Sequence, residues 1–142
     1  MFANCSKANV FGQIFWGCSG LTGSIPDTLF ANCPNVNDFQ DTFNSCSGLT
    51  GNIPAGLFVN CPNVKYFNGT FVNCSGLTGA IPEALFVNCT NVTSFNSTFN
   101  GCSGLTGDAP ALWERTNVTS YTGCFKNCTN LSNYTDIPSG WK

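Results

Sequence analysis

Thiols are the reactive groups that this chain repeats. Ten cysteines stand in 142 residues that contain no histidine. Most fall into two registers, Cys18, Cys46, Cys74, Cys102 and Cys128 in one, and Cys5, Cys33, Cys61 and Cys89 in the other. Zinc held by thiolates alone needs Cys-x-x-Cys pairs, and the closest two cysteines here, Cys124 and Cys128, are spaced differently. No metal or cofactor is therefore expected. Two readings of the thiols stay open. All ten pair as disulfides if Cys5 bonds Cys18, Cys33 bonds Cys46, Cys61 bonds Cys74, Cys89 bonds Cys102 and Cys124 bonds Cys128. Alternatively, they form two ladders of reduced thiols that act as small buried apolar residues. Bonding along a ladder is disfavoured, because stacked cysteines present parallel Cβ vectors, a poor geometry for a disulfide. Cysteine density of this order favours an oxidising setting, so an extracellular or cell-surface location is expected.

Other catalytic chemistry has little to draw on. The carboxylates Asp27, Asp38, Asp41, Glu83, Asp108, Glu114 and Asp136 form no row that recurs in every unit of the repeat described below. A cysteine or serine nucleophile would have no imidazole to act as its base, and the chain is read as a non-enzyme. Lys7, Lys65, Arg115, Lys126 and Lys142 are scattered singly, whereas phosphate neutralisation needs grouped cations, so nucleic acid is not an expected partner. No run of about 18 apolar residues suggests membrane insertion.

The elements that position these residues repeat every 28 residues. Cys18-Ser-Gly-Leu-Thr-Gly-Ser-Ile-Pro26 recurs from Cys46 to Pro54, from Cys74 to Pro82 and, degenerately, from Cys102 to Pro110. Each unit continues through Leu57-Phe58-Val59-Asn60-Cys61, Asn63-Val64-Lys65-Tyr66-Phe67 and Thr70-Phe71 or their equivalents. The spacing divides the chain into a half unit 1–17, full units 18–45, 46–73 and 74–101, a degenerate unit 102–127 and a half unit 128–142. One unit cannot cover its own aromatics, so stacking is required. The short apolar segments, Val64–Phe67 and Leu77–Ile81 among them, read as short strands about 4.8 Å from their equivalents. The expected fold is a repeat solenoid, mainly β: a flattened coil of about five turns with parallel β-sheets. Asn32, Asn60 and Asn88, each just before a cysteine, are expected to bond the neighbouring backbone as an asparagine ladder. In the degenerate unit Leu112-Trp113-Glu114-Arg115-Thr116 removes one cysteine, and Cys124 appears where other units carry Thr42, Thr70 or Thr98.

These motifs resemble the leucine-rich-repeat-like units of bacterial surface proteins, the BspA type, and the related mycoplasma lipoprotein repeats. The resemblance covers nearly the whole chain and implies adhesion, binding of host or matrix proteins, and surface display. Two readings of function follow. One is a non-enzymatic extracellular structural and adhesive repeat protein that stacks head to tail into a filament. The other is a host- or ligand-binding fragment of a larger bacterial adhesin or phage tail fibre. For the filament, Ile137 to Lys142 followed by Met1 to Cys5 nearly regenerates Ile53 to Cys61, and the predicted end contacts are Met1, Phe2, Phe11, Phe15, Trp16, Leu131, Ile137 and Trp141. The expected partners are thus another copy, a host or matrix protein, or a glycan. Among ten Asn-x-Ser/Thr sequons, Asn68, Asn91, Asn96, Asn117, Asn130 and Asn133 are the glycosylation candidates.

Overall fold

Between Phe39 and Cys46 the backbone N–H groups divide into two alternating sets. Phe39, Asp41, Phe43 and Ser45 donate to the carbonyls of Tyr66, Asn68, Thr70 and Val72, one unit on, at 2.7–3.0 Å. Thr42, Asn44 and Cys46 instead donate to Phe39, Asp41 and Phe43 within their own unit, at 3.0–3.2 Å. The same alternation runs from Phe67 to Cys74. Three positions per unit also bend the chain by entering the left-handed region. One holds Asp41 (φ 53°), Gly69 (60°) and Ser97 (54°), another Ser45 (63°), Asn73 (56°) and Gly101 (76°), and the third Gly23, Gly51, Gly79 and Gly107. Each non-glycine residue there costs about 1 kcal/mol.

This computed structural model, which describes Phe2 and residues 5–142, overturns the expected mainly-β solenoid with parallel β-sheets. Among the described residues there is no sheet; strand pairing is reduced to seven isolated parallel bridges, such as Asp38 with Tyr66 and Tyr66 with Ser94. The only helical segments described are single 3₁₀ turns at Glu83–Phe86, Leu112–Glu114 and Ser139–Trp141. A sheet needs consecutive extended residues whose N–H and C=O groups both point to neighbouring strands. Here half the N–H groups are spent on turns, and a left-handed residue interrupts every short extended run.

What is built instead is a stack of turns around columns of rings. Phe15, Phe43, Phe71, Phe99 and Phe125 lie face to face with centroids 5.4, 5.4, 5.5 and 5.7 Å apart. A second column runs through Phe11, Phe39, Phe67 and Phe95 at 5.8–6.0 Å, and a third through Phe30, Phe58 and Phe86 at 6.0 Å. Leu49, Leu77 and Leu105 are buried in the same core, whereas Leu21 is 38% exposed.

The Ser-Gly-Leu glycines set how closely the units approach. A Cβ on Gly76 would lie 2.4 Å from the Leu49 carbonyl oxygen and 2.8 Å from that of Ser47, and Gly48 and Gly104 meet the preceding backbone in the same way. At Gly20 the same Cβ would meet nothing within 4 Å. Gly76→Ala should therefore lower unfolding stability in urea by about 3 kcal/mol, while Gly20→Ala should change it by less than about 0.5 kcal/mol. Equal effects at the two sites would refute this packing.

Candidate functional site

All ten cysteines are free thiols, eight of them buried, Cys5 half-buried and Cys18 exposed. Cysteines one unit apart act on one another electrostatically, Cys18 on Cys46, Cys46 on Cys74, and Cys33 and Cys89 on Cys61. The two ladders are thus present as columns. In one, Cys46, Cys74, Cys102 and Cys128 donate their S–H groups to the carbonyls of Phe15, Phe43, Phe71 and Phe99 at 2.9–3.0 Å. In the other, Cys61 and Cys89 reach Phe30 and Phe58 at 3.8 Å. Burial is the main cause that pushes the thiols up, to about 11 at Cys46 and about 12 at Cys61, Cys74, Cys89 and Cys128. A thiol held protonated is a poor nucleophile.

The degenerate unit keeps both column patterns with other chemistry. Arg115 takes the position that would follow Cys89, and its guanidinium donates to the Phe86 carbonyl at 3.2 Å and to the Cys89 carbonyl at 2.5 Å. It also lies 5.9 Å from the Phe95 ring centroid. Thr42, Thr70 and Thr98 form a buried hydroxyl column, each donating to a phenylalanine carbonyl of the preceding unit at 2.9 Å. Cys124 ends that column beside Thr98. Among the described residues no buried side-chain polar atom lacks a partner. No group of three or more potential metal ligands occurs among them, and no helix there is long and apolar enough to cross a membrane.

The surface has two distinctive features, and the first is a shallow side groove of about 770 Å³ that crosses the units. Its apolar file is Ala31, Val59 and Val87, with Val59 43% and Val87 62% exposed. Beside it run Pro34, Pro62 and Thr90. The asparagine ladder expected before the cysteines is present, since Asn60 donates to the Ala31 carbonyl at 3.0 Å and Asn88 to that of Val59 at 2.8 Å. A second ladder, not read from the sequence, joins Asn35, Asn63, Asn91 and Asn117 to the carbonyls of Ser6, Pro34, Pro62 and Thr90. The recurrence of Asn two residues after position 33 or 61 was its only sequence signal. Each laddered amide keeps its oxygen for another partner.

The predicted glycosylation sites divide by their use in the stack. Asn91, Asn117, Asn130 and Asn133 spend their amides on carbonyls of the preceding unit. Asn68 accepts from the Ser94 hydroxyl, while Asn96 makes no side-chain hydrogen bond among the described residues.

The second feature is the contrast between the two ends. Near the first unit an apolar cavity of about 260 Å³ opens beside Phe15, Leu21, Ile25 and Leu29, and Val10, Ile14 and Trp16 are exposed. Phe2 covers Phe11 at 4.8 Å, and Met1 lies outside the described residues. At the other end Leu131, Ile137 and Trp141 are buried. Trp141 stacks on Tyr121 at 4.8 Å and 7° and continues the Phe125 column at 6.3 Å. The predicted end contacts are therefore unlike: the N-terminal set is partly open, whereas the C-terminal set is folded onto its own chain.

Residues 9–141 match the model of a family described as Mycoplasma protein of unknown function, DUF285. No curated protein matches the chain. Among solved structures, a plant peptide hormone receptor, RGFR1, in complex with RGF2 is 20% identical, with a TM-score of 0.31 over 78% of this chain. The match spans 26% of that receptor chain.

Proposed function

Because the chain belongs to the Mycoplasma DUF285 family of unknown function, we propose a role from its surfaces, that of a non-enzymatic structural and adhesive repeat protein at the cell surface or outside the cell. The side groove is the observation that supports adhesion. It offers an apolar group and a fixed amide once per unit, along the axis of the stack. A regular file of this kind suits an extended ligand, a host or matrix polypeptide or a glycan, that can place an apolar face and a hydrogen-bonding group over each successive unit. Rigid packing below the groove keeps the ordering cost in the protein small.

The test is a screen of immobilised matrix proteins and glycans with the whole chain, followed by Val59→Asp and Val87→Asp. Both side chains are exposed, so the fold should persist. Binding should fall at least about tenfold for the double variant, the size expected when an apolar contact is replaced by a desolvated charge. A ligand held equally well by the double variant, or no ligand at all, would remove the groove from the account. Head-to-tail assembly is a second reading, favoured by the exposure of Val10, Ile14 and Trp16 at the first unit and opposed by the folded-back Trp141.

A further inference from the structure

We propose that the backbone edge from Val10 to Trp16 is a docking edge for the last unit of a second copy of this chain, and that the Ser139–Lys142 turn is a plug closing that last unit. The proposal rests on the head-to-tail reading and specifies its partner surface and its regulation.

Four rungs join each unit to the next. The first set of donors is Phe11, Gln13, Phe15 and Gly17, bonded to the carbonyls of Asp38, Gln40, Thr42 and Asn44 at 2.8–3.0 Å. The pattern recurs from Phe39, from Phe67 and from Phe95. Continued forward, the next donors are Tyr121, Gly123, Phe125 and Asn127; continued backward, the first acceptors are the carbonyls of Val10, Gly12, Ile14 and Trp16. None of these four carbonyls accepts a hydrogen bond among the described residues. The two edges therefore match rung for rung, in the register every interior interface already uses. Such a contact is heterologous and does not close on itself.

Within one chain, the C-terminal turn stands in for the missing partner incompletely. Phe125 donates to the Trp141 carbonyl at 2.7 Å and Gly123 to the Gly140 carbonyl at 3.4 Å, while the N–H groups of Tyr121 and Asn127 find no acceptor among the described residues. The Trp141 ring covers the Phe125 face that the Phe15 ring of a second copy would occupy. The Lys142 ammonium pins the turn by donating to the carbonyls of Tyr134 and Thr135. On the Leu-Thr-Gly side the carbonyl matching that of Gly107 belongs to Asn133, and it is taken by the Asp136 N–H at 2.9 Å. The docking contact is thus confined to the four-rung edge.

The experiment is sedimentation of the whole chain beside three variants that open the plug to increasing degrees: Lys142→Glu, Trp141→Ala and a chain ending at Pro138. Lys142 is a half-exposed terminal residue, so its variant reports even where deeper cuts unfold the end. The expected result is a chain that stays at 15.1 kDa and plug variants whose mass climbs with concentration in open-ended steps of that size. Adding Trp16→Asp, at a residue 56% exposed in the single chain, should return each variant to monomer without changing its circular dichroism. Folded plug variants that stay monomeric would overturn the proposal, as would association that Trp16→Asp leaves intact. Association of the unaltered chain that Trp16→Asp abolishes would overturn the plug alone and leave head-to-tail stacking standing.

Discussion

Raising the pH from 9 to 11 should unfold this chain, because its interior is lined with thiols that cannot ionise in place. Burial pushes Cys46 up to about 11 and Cys61, Cys74, Cys89 and Cys128 up to about 12. Neighbouring thiols in the column add to the effect at Cys46, Cys61 and Cys74. In the unfolded chain the same groups titrate near the ordinary thiol value of about 8.5. Below that value both states are protonated, and stability is at its full level. Above it the unfolded chain releases protons that the folded chain retains, so stability falls as pH rises, until the folded values near 11 to 12 are passed. Each thiol contributes on the order of 1 kcal/mol per pH unit. Five together remove about 10 kcal/mol over two units, which is as large as a typical total stability of about 5–15 kcal/mol. The check is the urea midpoint against pH, followed by tryptophan fluorescence. Cys74→Ala should flatten the fall, and a midpoint unchanged at pH 11 would contradict the account.

Phe67→Ala should cost about 4 kcal/mol, the range for removing a fully buried phenylalanine that its surroundings cannot refill. The ring contacts four others, Phe39 and Phe95 along its own column at 5.8 Å and Phe58 and Phe86 across the core at 4.8 Å. Collapse is opposed by the rungs on either side, which fix the distance between units. Because each unit touches only its neighbours, the loss should also uncouple the two ends. A broadened or two-step urea transition is the expected sign. Val59→Ala, on the exposed file, should change stability by less than about 0.5 kcal/mol. A loss below about 1 kcal/mol at Phe67 would show that the columns are not the core.

The sequence made the register legible and left the backbone obscure. Phenylalanine at 39, 67 and 95 and cysteine at 46, 74 and 102 could be superposed by counting, and the structure stacks them as rings and thiols. Asn60 and Asn88 were readable as ladder residues because a short amide before a buried cysteine has one nearby use. Val64–Phe67, by contrast, reads as a strand on composition alone, yet the units are stacked turns. Nothing in side-chain types reveals that Asp41 and Ser45 enter the left-handed region or that alternate N–H groups bond locally. Loss of a cysteine within Leu112–Thr116 and its gain at position 124 suggested compensating thiols. The structure gives each change its own cause: Arg115 keeps the donor to the Phe86 carbonyl, and Cys124 ends the threonine column. The C-terminal turn was hidden for a similar reason, since Gly140 and Trp141 resemble the Gly56-Leu57 of a continuing unit but fold back onto Tyr121 and Phe125.

Ring-to-ring nuclear Overhauser contacts in the folded chain address the stacked-turn architecture most directly, with phenylalanine labelled selectively. The account predicts contacts from Phe43 to Phe71 and from Phe71 to Phe99, together with Cα shifts near positions 41 and 45 that lack a strand signature. Ring contacts confined to single units, or continuous strand shifts from Phe39 to Cys46, would contradict it.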